Sequence, residues 1–323
     1  MGDNRVFAGI DIGGTSIKYG LVDSQGKVLF KEHRPTMVEK GAEPLMHLVT
    51  NIAESLLYHA AEEDYQVSCL GVGTPGAVEP KSGRVVGFAP NIDGWEGMKI
   101  GQILTERLNL PVLVDNDVNA MAVAESRFGA AVGYQSVVCV ALGTGVGGAI
   151  ILDGKLWRGS NHSAGEIGHL SINADGPACH CGNRGCVEAY CSSSAIMDRA
   201  KGKLERELTP AFKEVLNGSL DNLNIKKIFT AANRGDEVAR AVIDETAKYL
   251  AVGLAGTVNL LNPEIVVIGG GIADGRGGFV ESVSAEVRKR ACGPATEHLR
   301  ITTATLGNNA GFIGASILGE VVR

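Results

Sequence analysis

Four of the seven cysteines, Cys179, Cys181, Cys186 and Cys191, fall within 13 residues. A Cys-x-Cys pair with a third cysteine five positions on places three thiolates in a glycine-rich loop, one short of the tetrahedral set that a structural zinc takes. His180 and Cys191 compete locally for the fourth place. His180, between two ligands, would tend to point away, and Cys191 falls on the helix that follows. An odd, clustered cysteine count with no secretory signal ahead of it favours a metal site over a disulfide framework. Two glycine loops offer a second chemistry. Asp11-Ile12-Gly13-Gly14-Thr15-Ser16-Ile17-Lys18 and Leu142-Gly143-Thr144-Gly145 each place glycine and hydroxyl residues between two strand-like runs. Such a turn can present backbone N–H groups and a threonine hydroxyl to phosphate oxygens. Two of them could grip one triphosphate from both sides, with Asp11 a partner for Mg²⁺ through water.

Other phosphate motifs are excluded. Gly26-Lys27, Gly154-Lys155 and Gly202-Lys203 are followed by Val, Leu and Leu, so no Walker A pattern is present. Residues 71–76 and 143–148 both fit G-x-G-x-x-G, but the last glycine of each opens a loop or a strand where a dinucleotide site needs a helix.

The elements that must position these residues follow from the wider pattern. The chain has 323 residues, 45% hydrophobic, with a formal charge of −6 and 44 glycines. That glycine content is about twice the usual ~7%, in a composition otherwise typical of a globular protein, and it points to tight turns and close approach of backbone to a ligand. A mildly acidic chain with no basic run is a poor nucleic-acid binder. The N-terminus shows no signal-peptide apolar region. The uncharged run 128–152 reads as two buried strands around a glycine loop rather than a membrane span. The expectation is a soluble, cytoplasmic protein.

Strands are expected at 6–12, 16–22, 27–31, 67–73, 112–115, 265–268 and 301–304. Helices are expected at 43–63, 100–108, 118–128, 187–203, 236–261, 279–290 and 310–319. The opening pattern returns from Val137. Gly13-Gly14 aligns with Gly143-Thr144 at an offset of 130, and Asp23 with Gly26-Lys27 echoes Asp153 with Gly154-Lys155. This reads as duplication of a three-strand-plus-helices unit.

Residues 11–18, 71–76, 114–117, 142–148, Gly165-Glu166-Ile167-Gly168-His169 and the run from Cys179 to Glu188 together resemble the ROK family of bacterial sugar kinases and repressors. The resemblance covers almost the whole chain. It implies an α/β protein with the duplicated actin-like ATPase (ribonuclease H-like) fold, two domains with a cleft between them. Residues 1–115 would form a small N-terminal domain, completed by the C-terminal helix 309–323. Residues 116–308 would form a larger domain with the zinc loop and the adenosine-binding segment. The implied activity is ATP- and Mg²⁺-dependent phosphorylation of glucose at the 6-hydroxyl.

Residue by residue, the resemblance implies that Asp11, Gly13, Gly14, Thr15 and Lys18, with Gly143, Thr144 and Gly145, hold phosphates. Gly269, Gly270 and Gly271 would pack against the adenosine, where bare backbone can lie against a purine or ribose. The run Val114-Asp115-Asn116-Asp117-Val118-Asn119 marks a strand becoming a helix, and Asn116 or Asp117 is its N-cap candidate. The family motif makes Asp117 the base that takes the proton of the attacking sugar hydroxyl, with Asn116 binding the sugar. Asn91, Glu166, His169 and Glu188 would complete the sugar site. His169 is also implied as the fourth zinc ligand beside Cys179, Cys181 and Cys186, using different ring nitrogens for metal and sugar. A homodimer, or a tetramer, is implied by resemblance alone. Two rivals share these residues: an N-acetylglucosamine or N-acetylmannosamine kinase, and a sugar-responsive repressor. The family's repressors carry an extra N-terminal DNA-binding segment, for which a first strand starting by Val6 leaves no room.

Overall fold

The computed structural model describes residues 4–87, 89, 91–205, 208–273 and 278–321. β1 (Arg5–Ile12), β2 (Ser16–Val22) and β3 (Val28–Pro35) form an antiparallel meander. The Asp23 carboxylate accepts the amides of Gln25 and Lys27 at 2.9 Å, which closes the second turn. α1 (Ala42–Glu62) leads to β4 (Gln66–Thr74), parallel to β1. A short hairpin, β5 (Ala77–Glu79) and β6 (Arg84–Gly87), and α2 (Ile100–Leu108) precede β7 (Val112–Asn116), parallel to β4. α3 (Asp117–Phe128) follows at once. The sheet order is β3-β2-β1-β4-β7.

The pattern then repeats with β8 (Val137–Leu142), β9 (Val146–Leu152) and β10 (Lys155–Leu156). Helices α4 (Glu188–Cys191), α5 (Ser193–Leu204), α6 (Pro210–Val215), α7 (Ile225–Asn233) and α8 (Glu237–Leu261) intervene. β11 (Ile265–Gly269), α9 (Phe279–Arg290), α10 (Gly293–Thr296) and β12 (Arg300–Thr303) complete a sheet ordered β10-β9-β8-β11-β12. α11 (Ala310–Ser316) and α12 (Leu318–Val321) end the described chain. Numbered within its own half, each sheet runs 3-2-1-4-5. The echo at an offset of 130 is therefore a duplication of topology.

The chain divides into two compact units: 1–139 with 149–165 and 305–323, and 140–148 with 166–304. These bounds differ from the expected 1–115 and 116–308: residues 116–139 with α3, 149–165 and 305–308 fall in the first unit. Asn116 caps α3 directly from the end of β7, and α3 packs against α11.

In the first unit, Ile10, Ile12, Leu70 and Val72 form one core with Leu45, Val49, Ile52 and Leu56 of α1. α11 lies on β1 and β4. A Cβ at Gly9 would run into the Phe312 carbonyl, and one at Gly71 into that of Ala315. Gly71, first met in a G-x-G-x-x-G run, is there for this backbone approach.

Two expected helices are interrupted. The 187–203 run breaks at Ser192, which is extended and accepts the Ala195 amide at 3.3 Å as the N-cap of α5. The 310–319 run ends at Ser316 and resumes as α12. Residues 322–323 of the expected C-terminal helix lie outside the described residues. The uncharged run 128–152 holds β8 and β9, and among the described residues no helix is long and apolar enough to cross a membrane.

Candidate active site

In the first unit, strand register brings the carboxyl ends of β1, β4 and β7 side by side: Asp11 pairs with Gly73, Gly73 with Asp115, and Thr74 with Asn116. Ligands bind at such strand ends in open α/β sheets. Gly73 has no side chain, and a Cβ there would lie 3.4 Å from the Asp117 Cα and 3.7 Å from Asp11 Oδ1. Asp11 and Asp117 thus stand on either side of a bare backbone position.

Asp117 is the first residue of α3, and its Oδ1 accepts the Val118 amide at 2.9 Å. Asn116 is the N-cap. Its Oδ1 accepts from Val118 at 2.9 Å and Asn119 at 3.2 Å, and its Nδ2 donates to the Gly76 carbonyl at 3.3 Å. Behind them Asp115 is buried. It accepts from the Asn116 amide and Asn119 Nδ2, each at 2.8 Å, and pairs with Arg158 at 2.5 Å. Arg158 was not legible in the sequence, because the contact joins residues 43 apart.

Burial pushes the Asp11 carboxyl up to about 6, against the pull of Lys18. Lys18 is its register partner on β2. Gly311 of α11 faces the Asp11 carboxylate so closely that a Cβ would collide with it. The turn over Gly13, Gly14 and Thr15 closes through Gly13 N to Ser16 O at 3.1 Å. Buried Thr36 pins it, donating its hydroxyl to Gly13 O at 2.6 Å and its amide to Thr15 O at 3.2 Å. Thr15 stays exposed at the tip. Asn91 is exposed on the turn before buried Trp95, whose Nε1 donates to Thr74 Oγ1 at 2.8 Å. That bond ties the Asn91 turn to the strand end where Asn116 sits. Sequence reasoning missed Thr36 and Trp95 as well.

In the second unit, His169, Cys179, Cys181 and Cys186 present Nδ1 or Nε2 and three Sγ atoms within 4.8 Å of one another. Cys181 and Cys186 Sγ are 3.7 Å apart, and Cys179 Sγ lies 3.7 Å from His169 Nδ1. With metal–sulfur bonds of ~2.3 Å, a tetrahedron has edges of about 3.8 Å. The four donors therefore suit one tetrahedral ion such as zinc. Of the competitors, Cys191 is buried on α4 and donates to the Thr246 carbonyl at 3.6 Å, and His180 is exposed.

His169 Nε2 faces Glu166 Oε2 at 3.9 Å, so the two ring nitrogens look to different neighbours. Burial raises the Glu166 carboxyl above its usual range, with His169 pulling down and Glu188 pushing up. Glu166, His169 and Glu188 are thus one cluster around the metal-type site. Glu188 also reaches the second glycine turn, where its Oε2 accepts the Val146 amide at 2.8 Å. In that turn Gly143 N donates to Gly145 O at 2.9 Å, and Thr144 is exposed at the tip.

Gly269 ends β11. Gly270 has φ +88° and packs so tightly on Leu142 that a Cβ would collide with its backbone. A Cβ at Gly271 would meet open space. Packing alone accounts for Gly270, while Gly271 has no such constraint.

A sequence profile described as the ROK family matches residues 7–321. A glucokinase of Thermotoga maritima is 36% identical over 82% of this chain and 81% of its own. The crystal structure of a ROK family glucokinase from Streptomyces griseus in complex with glucose and AMPPNP is 36% identical, with a TM-score of 0.85 over 97% of this chain and 98% of that one. A xylose repressor of Caldicellulosiruptor bescii is 31% identical over 95% of this chain and 76% of the repressor.

Proposed function

The chain belongs to the ROK family, and from that footing we propose that this hexose kinase transfers the γ-phosphoryl group of ATP to the 6-hydroxyl of D-glucose. The observation that carries the reading is the pair Asp11 and Asp117 flanking Gly73 at the ends of β1, β4 and β7. Phosphoryl transfer leaves little covalent chemistry to the protein. It requires positioning, charge stabilisation and one base for the nucleophile's proton. Asp117 accepts the proton of the 6-hydroxyl. Its place at the start of α3, with Val118 N on Oδ1, fixes the orientation of its carboxylate.

Asn116, Asn91, Glu166, His169 and Glu188 orient the sugar ring. The turns at 13–15 and 143–145 hold the phosphates through backbone amides and Thr15 and Thr144, with Lys18 adding positive charge. Gly271 leaves room for the adenosine. Asp11 would be the protein partner of Mg²⁺, which would offset phosphate charge. His169, Cys179, Cys181 and Cys186 would hold zinc, which would fix the loop between Glu166 and Glu188.

The test is kinase activity on a panel of hexoses at matched concentration. Glucose is expected to give the highest kcat/KM. A preference of more than about tenfold for an N-acetylated sugar overturns the glucose assignment, since a site that binds a given hydroxyl rejects sugars lacking it. Sugar-dependent binding to a specific DNA duplex without turnover overturns the kinase reading itself.

A further inference from the structure

The 143–145 turn is held at both ends by residues that follow the cysteine loop. At its far end Glu188 Oε2 accepts the amide of Val146 at 2.8 Å, the first residue of β9. The approach depends on Gly145, since a Cβ there would lie 2.5 Å from Oε2. At the near end Ser193 gives the Gly143 carbonyl two hydrogen bonds, from its amide at 2.9 Å and its hydroxyl at 2.8 Å. Ser193 is the first residue of α5, whose start is set by the Ser192 cap.

Glu188 and Ser193 are five residues apart, joined through the single turn of α4 and the Ser192 cap. The other oxygen of Glu188 points elsewhere. Oε1 lies 3.9 Å from Cys179 Sγ, which is itself 3.7 Å from His169 Nδ1. One carboxylate therefore has one oxygen committed to the glycine turn and the other beside the metal-type donors Cys179 and His169, and its charge also bears on Glu166, which is assigned to the sugar.

We propose that Glu188 and Ser193 couple the two substrates: sugar held at Glu188 fixes the carboxylate, and the carboxylate with Ser193 orders the 143–145 turn for the nucleotide's phosphates. This rests on the kinase reading above. Ser193 touches neither substrate and is a positioning residue for the turn. A bound sugar has already met the ordering cost of the turn, so the nucleotide binds more tightly after it, and by linkage the sugar binds more tightly after the nucleotide.

The experiment is calorimetric titration of the intact chain with a non-hydrolysable ATP analogue and Mg²⁺, with and without saturating glucose. Glucose should tighten analogue binding roughly fivefold or more. Ser193→Ala should bring that ratio towards one and raise KM for ATP roughly three- to tenfold, the effect of losing one neutral hydrogen bond. Its glucose affinity without nucleotide and its melting temperature should stay at wild-type values. Ser193→Thr keeps the hydroxyl and should restore both the ratio and KM.

A wild-type ratio of one overturns the coupling without any variant, and so does a wild-type ratio in Ser193→Ala. If another hexose is phosphorylated in place of glucose, the glucose assignment fails alone, and the same ratio is measured with that hexose. A chain that phosphorylates no hexose overturns both.

Discussion

Asp117 and Asp11 share one strand-end row but differ in surroundings, and the difference sets what each variant should do. Asp117 is oriented by the helix it begins. Asp117→Ala should lower kcat by about 10²- to 10⁴-fold, the usual worth of a positioned base. Glucose affinity by calorimetry should remain close to wild type, and full turnover would refute the assignment. Asp11 is held at about 6 by burial, above the unfolded value of 3.8. Between those values the folded chain binds more protons than the unfolded one, so stability falls as pH rises from about 4 to 6. Above pH 6 the ionised carboxylate costs the protein free energy in the absence of ligand. Asp11→Asn should therefore be more stable than wild type at pH 7, by something on the order of 1–3 kcal/mol, with the gain gone near pH 4. Urea unfolding across that range measures it, and a gain independent of pH would count against the burial argument. The same variant should lose activity, a trade of stability for function.

Among the elements, glycines separate packing from ligand space. Gly71→Ala would drive a Cβ into the Ala315 carbonyl and should cost several kcal/mol, roughly 3 or more, by lifting α11 from β4. Gly271→Ala meets nothing within 4 Å and should leave the melting temperature unchanged. If the adenosine packs on Gly271, as assigned, KM for ATP rises, and an unchanged KM would remove that glycine from the nucleotide site. The strand cores and long helices were legible in the sequence because each is an apolar run or a 3.6-residue stripe bounded by Gly, Asp or Ser. The three-residue strand β5 and the four-residue helix α10 were not, since elements so short carry no period. The break at Ser192 was written as a serine cap in the run Ser192-Ser193-Ser194 but masked by the apolar residues beyond that run. Within the site, the three cysteines were clustered in the sequence, while His169 was named by resemblance alone; the structure places its ring nitrogen beside them. Arg158, Thr36 and Ser193 were invisible because each acts across a long stretch of chain, 43 residues for Arg158 to Asp115 and 50 for Ser193 to Gly143.

At the scale of the whole molecule, the first unit is assembled from three separate pieces of chain, the last of them residues 305–323. Buried Glu125 of α3 anchors that piece. Its carboxylate accepts the Thr305 amide at 3.1 Å, the Leu306 amide at 2.9 Å and the Ala130 amide at 2.7 Å. Phe312, Ile313 and Ala315 of α11 are then fully covered. A chain cut after residue 304 should show fast hydrogen exchange in β1, β4 and α3 while α8 and β11 keep their protection. Retained protection in β1 would mean that the sheet stands without α11. The duplication that made the fold readable did not announce this arrangement, because sequence order suggests two halves side by side. It has a consequence for biosynthesis. As the chain leaves the ribosome, β1 and β4 emerge with Gly9 and Gly71 open along the face that α11 will cover. They must wait through more than 200 residues of translation before residues 310–316 arrive. Contacts of such long range form late and slowly. The half-built sheet, translated first yet finished last, is where a chaperone would be expected to hold the nascent chain and where premature release would lead to aggregation.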